Sequence, residues 1–575
     1  MPRRLMFAGL VGAWASNPVR ATEVPNAGTV LESVKGTELP SDSKSVPPLN
    51  IEPAGRPALD THTGLKVKLT AFRISGTTVY AQSELLPLLR QYVGKDVTLA
   101  ELERAAAAIT RFYRDHGYPV ARAYLPAQDI ENGTVEIAVL EGRVAAVKVQ
   151  TQGRKTRVSE RQAQKIVTAS VKSGEVVKQD VLERGLLLLN DLPALQVKST
   201  LVPGASVGTS ELIVEATSRA LVDGSADVDT FGNRFNGVTR FGGTLNLNSP
   251  AGYGDLVSLR ALTTGSGLHY ARLSYTVPVG SSGTRLGAAY SYVDFKLGEE
   301  LSALHARGKA QVASLFALHP FVRSRRLSLY GSLGFDRKFY DNEANFQTTS
   351  DKKAGVWLLG LSAESRDWLG GGGLNQFGLT FTAGSQNLNG SPDQFADSLT
   401  AQTQGHFHKL GYNLSRLQYL SAAFSLRVSL NGQWTSRNLD SAEQFVLGGP
   451  FGVRAYPQGE ASGDEGYLAS AEGRWDAALL AAWAHMQLVG FVDTGRITLH
   501  ERQWSGWQGD NLALHNRYNL SAAGVGLNLS GLERCLLRVS YAWKLGENPG
   551  RDVNGRDSDN STRGGRFWLQ FSTWF

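Results

Sequence analysis

One cysteine, Cys535, stands in 575 residues, so no internal disulfide can form and the fold must hold without one. In LERCLLRVSY it alternates onto the face shared with Leu537, Val539 and Tyr541, where it reads as a small apolar residue. No run approaches the roughly 18 consecutive apolar residues of a transmembrane helix, so a chain of this kind crosses a membrane only with strands closed into a barrel. Neither HExxH nor GxxxxGK[ST] occurs, which leaves a zinc hydrolase and a nucleotide-driven motor without support. The net charge of +7 and the pI of 9.2 arise without any Lys/Arg run, so solvated loops and a polar lumen explain them better than nucleic acid does.

What the chain has in quantity is glycine and aromatics: 63 Gly, 11 Trp, 18 Tyr and 23 Phe, against 3 Met. Tight turns, many strands and interfacial aromatic girdles account for that balance. The opening MPRRLMFAGLVGAWAS carries Arg3 and Arg4, a short apolar stretch and Ala13-x-Ala15. With Val19-Arg20-Ala21 as a second cleavage pattern, residues 1–21 are expected to be a signal peptide. Residues 22–65 are rich in Pro, Ser and small polar residues and read as a linker, with one short helix possible where Val30, Leu31 and Val34 share a face.

Residues 66–217 hold an internal repeat. Leu102-Glu103-Arg104 aligns with Leu182-Glu183-Arg184, and Gly133-Thr134-x-Glu136 with Gly208-Thr209-x-Glu211. Each copy of about 75 residues is expected to have a strand, two amphipathic helices and a two-stranded hairpin. Two small α+β modules, 66–143 and 144–217, follow.

From 218 to 575 the helical period gives way to about sixteen alternating segments, such as TRFGGTLNLNS, LHYARLSYTV and CLLRVSYAW. Most are long enough to cross a bilayer at a tilt. Connections after even-numbered segments are short, while those around 341–353, 387–401, 497–517 and 546–562 are long, as in a bacterial barrel with short periplasmic turns and long outer loops. The expected fold is therefore a membrane β-barrel of about sixteen antiparallel strands preceded by two small α+β domains. The last strand, GGRFWLQFSTWF, places Phe567, Leu569, Phe571 and Phe575 on one face.

Several motifs carry a bland reading. Gly204-Ala205-Ser206-Val207-Gly208 fits a nucleophile elbow but is followed by a strand, so it reads as a hairpin turn. His406 and His408 share a strand face without a further ligand pair and read as polar lumen residues. Asp552, Asp557 and Asp559 lack ordered calcium-ligand spacing and read as a solvated outer loop. No metal or cofactor is expected, and no catalytic constellation marks the chain as an enzyme.

The exception is QFVLGGPFGVRAYPQGEASGDEG, joining the eleventh and twelfth segments. It is glycine-rich and surrounds Arg454 with Phe451, Val453 and Tyr456, which suits a loop folded inward over 443–466. A confined Arg454 needs an acidic partner. FVDTG in the thirteenth segment offers Asp493, opposite in alternation to Leu488, Gly490 and Val492 and so facing the lumen.

These residues resemble the outer-membrane transporters of two-partner secretion, the haemolysin secretion/activation family typified by ShlB, FhaC and HecB (TpsB proteins). The resemblance rests on the paired modules, the block FGNRFNGVTRFGGTLNLNSPAGYGDLVSLRALTTG, the run HYARLSYTVPVGSSGTRLGAAYSYVDFKLG, the loop and FVDTG. It implies that the modules are POTRA domains and that a plug helix lies near 30–35. It also implies a lumenal lock in which Val453, Arg454, Ala455 and Tyr456 match Val-Arg-Gly-Tyr and Phe491, Asp493 and Gly495 match Phe-x-Asp-x-Gly. Ala455 departs from the glycine of that pattern, which bears on the backbone if φ > 0 is used there. Phe571 and the terminal Phe575 match the barrel-assembly signal.

By resemblance, the protein lies in the outer membrane with its POTRA domains in the periplasm. It captures an unfolded, large, secreted TpsA-type exoprotein, haemolysin- or adhesin-like, and exports it through the pore. Outer-membrane lipid and the barrel-assembly machinery are further partners, and nucleic acid is not one. The alternative is an assembly factor (insertase) of the same POTRA-barrel superfamily.

Overall fold

The computed structural model describes residues 25–35, 49–51, 66–151, 156–481, 484–509, 511–531 and 534–575. The signal-peptide reading of 1–21 and most of the linker lie outside the described residues. Helix α1, Ala27–Lys35, stands inside the barrel; the Asn26 carboxamide oxygen caps it, accepting from the N–H groups of Gly28 (3.0 Å) and Thr29 (3.1 Å). Its Ala27, Val30, Leu31 and Val34 pack among lumen-facing Leu262, Val293, Phe295, Ala310, Val312 and Tyr340.

The first module contains β2 (Lys66–Lys68), β3 (Ala71–Ser75), α2 (Gln82–Leu85), β4 (Asp96–Thr98), α3 (Leu99–Asp115), β5 (Arg122–Tyr124) and β6 (Thr134–Leu140), with sheet order β3-β6-β5 and a separate β2-β4 pair. Thr98 and Glu101 form a capping box at α3, whose Leu102, Ala105, Ala106, Ile109 and Tyr113 enter the core at helical spacing. The expected first helix of this copy is only the single turn α2 followed by a 3₁₀ segment, Leu86–Tyr92. Pro87 explains the break: it has no N–H to continue the i→i−4 ladder.

In the second module, β7 (Arg143–Thr151), α4 (Glu160–Ser170), α5 (Gln179–Asn190), β8 (Leu195–Pro203) and β9 (Thr209–Ser218) form the expected pattern. Gly204–Gly208 is the β8–β9 turn. One strand was not foreseen. Within the linker, β1 (Leu49–Ile51) pairs in parallel with β8, Leu49 opposite Ser199 and Ile51 opposite Leu201, completing a sheet β1-β8-β9-β7.

Sixteen antiparallel strands close the barrel. In order they are β10 (Val222–Asp229), β11 (Arg240–Asn248), β12 (Leu256–Thr263), β13 (Leu268–Val279), β14 (Thr284–Lys296), β15 (Arg307–Arg323), β16 (Leu327–Ala344), β17 (Gln347–Asp367), β18 (Gly373–Asn387), β19 (Gly405–Tyr419) and β20 (Phe424–Thr435). After the inward connection, which carries the short β21 (Phe445–Val446) and β22 (Ser462–Gly463), come β23 (Glu465–Ala481), β24 (Ala484–Thr498), β25 (Arg517–Gly531), β26 (Cys535–Lys544) and β27 (Gly565–Trp574). Closure joins β27 to β10, from Ser225 opposite Trp574 to Asp229 opposite Gln570, and Phe575 exchanges backbone hydrogen bonds with Gly224. Phe571 and Phe575 face outward from this seam.

The stretch 341–353 is a correction: it is no loop but the tip of the β16–β17 hairpin, turning only at Asn345 and Phe346, both with positive φ. Strand pairing there extends the wall beyond the length needed to cross a bilayer. The second module docks at the opposite end, where Asp191 takes the Arg323 guanidinium in two bonds of 2.8 and 2.9 Å and Arg184 donates to the Pro320 and Phe321 carbonyls.

Candidate functional site: a lumenal loop and its lock

The connection between β20 and β23 folds into the lumen and brings Arg454 against the wall. Asp493 lies on β24 opposite Ser470 of β23, so both face inward, while Leu488 and Val492 face out. Arg454 Nε donates to Asp493 Oδ2 at 2.8 Å and Nη2 to Oδ1 at 2.7 Å, and the Arg454 backbone N–H adds a third bond at 3.2 Å. The Asp493 side chain is 1% exposed and that of Arg454 13%, so this is a buried, bidentate, charge-assisted pair.

Four neighbours complete the clamp. Glu472 accepts from Arg454 Nη1 at 2.8 Å and ties the site to Arg474 at 2.6 Å. Ser470 donates to Asp493 at 2.7 Å. The guanidinium carbon sits 3.4 Å above the Phe491 ring centroid, a cation–π stack. Trp568 Nε1, from β27, donates to the Arg454 carbonyl at 2.7 Å.

The remaining motif residues explain themselves through packing. Val453, Ala455 and Tyr456 are fully buried in one cluster with Leu447, Phe491, Ile497 and Leu520. At Gly495 a Cβ would lie 2.3 Å from Leu447 Cδ1 and 2.5 Å from the Tyr467 carbonyl, so glycine lets the loop touch the wall. Ala455 brings no positive-φ strain; in this connection the positive φ values belong to Gly449, Gly459 and Ala461. Alanine at the position where the resemblance implies glycine therefore carries no conformational penalty, its methyl filling the buried cluster.

Alternation made Arg454 and Asp493 legible, but Ser470, Glu472 and Trp568 went unnoticed. The i, i+2 series Ser470-Glu472-Arg474 in GYLASAEGRW was the available signal, since it continues Asp493's face onto the next strand. Two readings need correcting. His406 and His408 are exposed on the outer face, His408 stacked on Phe381, because Phe407 and Lys409 take the inward positions. Asp557 and Asp559 are buried rather than solvated: Asp557 pairs with Lys544 and Asp559 with Arg566. Their loop grips the inward connection, Glu460 accepting from Asn548 Nδ2 at 2.6 Å and from the Ser558 N–H at 2.7 Å.

A closed sixteen-stranded barrel with tandem α+β modules at one mouth, a helix in its lumen and an inward loop locked to its wall defines a POTRA-bearing outer-membrane transporter. Residues 67–142 match the POTRA domain of ShlB type, and residues 208–529 match the haemolysin secretion/activation protein model ShlB/FhaC/HecB. The chain belongs to that family. The heme/hemopexin transporter protein HuxB of Haemophilus influenzae is 28% identical over 99% of this chain and 98% of its own length. The outer membrane transporter CdiB of Dickeya dadantii is 23% identical over 76% of this chain and 77% of its own. Among solved structures, CdiB from Escherichia coli superposes with a TM-score of 0.69 at 20% identity, covering 91% of this chain and 93% of that one. BamA from Haemophilus ducreyi shares the fold at a TM-score of 0.50.

Proposed function

We propose that this protein is the outer-membrane transporter of a two-partner secretion pair, not an enzyme, and that it exports an unfolded exoprotein through the barrel it encloses. The observation that carries the reading is the doubly occupied lumen: α1 and the Arg454 loop both fill a pore that sixteen strands otherwise leave wide enough for a chain. Each is held by side chains, so each is removable without breaking the wall. The periplasm supplies no ATP and the sequence no nucleotide site, so folding of the exoprotein outside draws it through.

The modules supply capture by β-augmentation, in which backbone bonds give tolerance and side-chain pockets give selectivity. In the second module that site is covered, because β1 already pairs with β8. Entry of a partner strand there displaces the chain's own linker, whereas β5 of the first module carries no further strand among the described residues. The apolar outward faces meet outer-membrane lipid, and Phe571 and Phe575 at the closing seam serve recognition by the assembly machinery. HuxB is named for heme/hemopexin and HpmB for hemolysin, so cargo differs among relatives.

Deleting the gene should remove one large exoprotein from the medium while other outer-membrane proteins stay at normal levels, and complementation should restore it. General loss of outer-membrane proteins would favour the insertase alternative; unchanged secretion would refute export.

A further inference from the structure

Between the second module and the barrel mouth lies a cavity of about 1670 Å³, lined by nine arginines and His485 against three acids, Asp191, Asp223 and Glu364. We propose that this vestibule is a docking surface for an acidic, extended segment of the exported polypeptide. The proposal deepens the export reading and rests on it.

Two of the three acids are already engaged, and the third is exposed. Asp191 is held by Arg323, Asp223 accepts from Asn246 at 2.8 Å and Asn248 at 2.6 Å, and Glu364 stands 4.0 Å from Arg366. On the wall, Arg260 and Arg272 are placed directly opposite each other on β12 and β13. Like charges in that position destabilise a sheet. Asp227 takes the Arg260 guanidinium in two bonds, which leaves Arg272, among the described residues, with only the Ser291 hydroxyl, at 3.0 Å.

Five cations therefore border one space with no ion-pair partner among the described residues: Arg219 at the β9–β10 junction, Arg272 on β13, Arg285 on β14, Arg326 at the β15–β16 turn and Arg534 at the β25–β26 turn. Guanidinium groups bind carboxylates in planar, two-bond geometry, so what the space lacks is a supply of carboxylates.

Two features select a polypeptide over a lipid headgroup. Arg272 faces the lumen, as its pairing with buried Ser291 shows, while the neighbouring Leu273 is 53% exposed on the lipid side. The cavity is also lined from both sides, by Leu187, Leu188 and Asn190 of the second module and by Arg260 and Arg272 of the barrel wall. Because Arg534 is exposed and Arg219 and Arg272 are only part-buried, their hold is salt-sensitive and reversible, which a conduit requires so that cargo can leave as well as enter.

The test uses the full-length protein in nanodiscs of zwitterionic lipid and a fluorescent Glu/Ser peptide, with the Gln/Ser peptide of equal length as control. Wild type should bind the Glu peptide roughly tenfold or more tighter than the Gln peptide at low salt. The difference should collapse at high salt, and both R272Q and the triple variant R219Q/R272Q/R534Q should weaken it, the triple losing most of it. Heat-modifiable gel migration verifies that the variants are folded. Equal binding of the two peptides, or full discrimination by the triple variant, overturns the proposal. Loss of discrimination by wild type when phosphatidylglycerol is added to the nanodiscs also overturns it, because the arginines then serve headgroups. A chain that secretes its partner but does not discriminate the peptides refutes the vestibule alone; one that discriminates but secretes nothing refutes the export reading alone.

Discussion

Gly28 of α1 and Ala442 of the inward connection meet with no space for a side chain between them: a Cβ on Gly28 would lie 2.7 Å from that of Ala442. Beside them Ser441 Oγ donates at 3.0 Å to Asn26 Oδ1, the same oxygen that caps the helix. The plug helix thus rests on the base of the loop, and the two obstructions in the lumen share a contact. Gly28→Leu should expel α1 while the barrel still assembles. In planar bilayers the variant should conduct more and close less often than wild type; equal conductance would separate the helix from pore blockage.

The lock gives a second prediction. Removing one member of a buried pair typically costs about 3–5 kcal/mol, because the other charge is left desolvated. Arg454→Ala should abolish or sharply reduce secretion without loss of heat-modifiable barrel. Arg454→Lys should not rescue it, since an ammonium reproduces neither the bidentate bond to Asp493 nor the stack on Phe491. Secretion at the wild-type level in Arg454→Lys would reduce the site to simple charge pairing.

The joint between the modules is pH-sensitive. Burial pushes the Glu141 carboxyl up, but hydrogen bonds from the Thr78 hydroxyl and from the Thr78 and Val79 N–H groups, with one from Tyr113, outweigh it and hold the group below its usual range. A carboxylate with a lowered folded pKa contributes stability that is complete above its unfolded value and is lost as the pH falls through the folded one. Hydrogen exchange at residues 76–80 and 141–144 should therefore accelerate in acid. Glu141→Gln should show faster exchange already at neutral pH and a flatter acid response.

The covered edge of the second module makes a fourth prediction. Asn50→Pro removes a backbone N–H from the three-residue β1 and should free the β8 edge. The full-length variant should bind the N-terminal region of its exoprotein more tightly than wild type in titration calorimetry. Weaker binding would mean that β1 helps to build the docking site instead of covering it.

How much of this was legible in the sequence follows from the range of the interactions. Strand alternation is local, so the sixteen strands, the inward face of Asp493 and the eleventh-to-twelfth position of the loop could all be read from spacing. Strand β1 could not: Leu-Asn-Ile in a Pro- and Ser-rich linker has no local strand signal and is ordered by pairing with Ser199–Leu201, some 150 residues away, and by Leu49 packing on the module's core. Glu472 and Trp568 were missed because their roles depend on which strands meet at the loop, information held by barrel closure. His406 and His408 were assigned the wrong face because period-two alternation fixes which residues share a side, not which side faces water.

The central claim is that the exoprotein passes through the lumen that α1 and the Arg454 loop vacate. Site-specific photocrosslinking in cells tests it at two adjacent positions of β14: Ser291, buried on the inner face, and Tyr290, 47% exposed on the outer one. With the exoprotein co-expressed, a photoreactive residue at 291 should capture it and one at 290 should not. Equal capture at both positions, or capture at 290 alone, would contradict passage through the barrel.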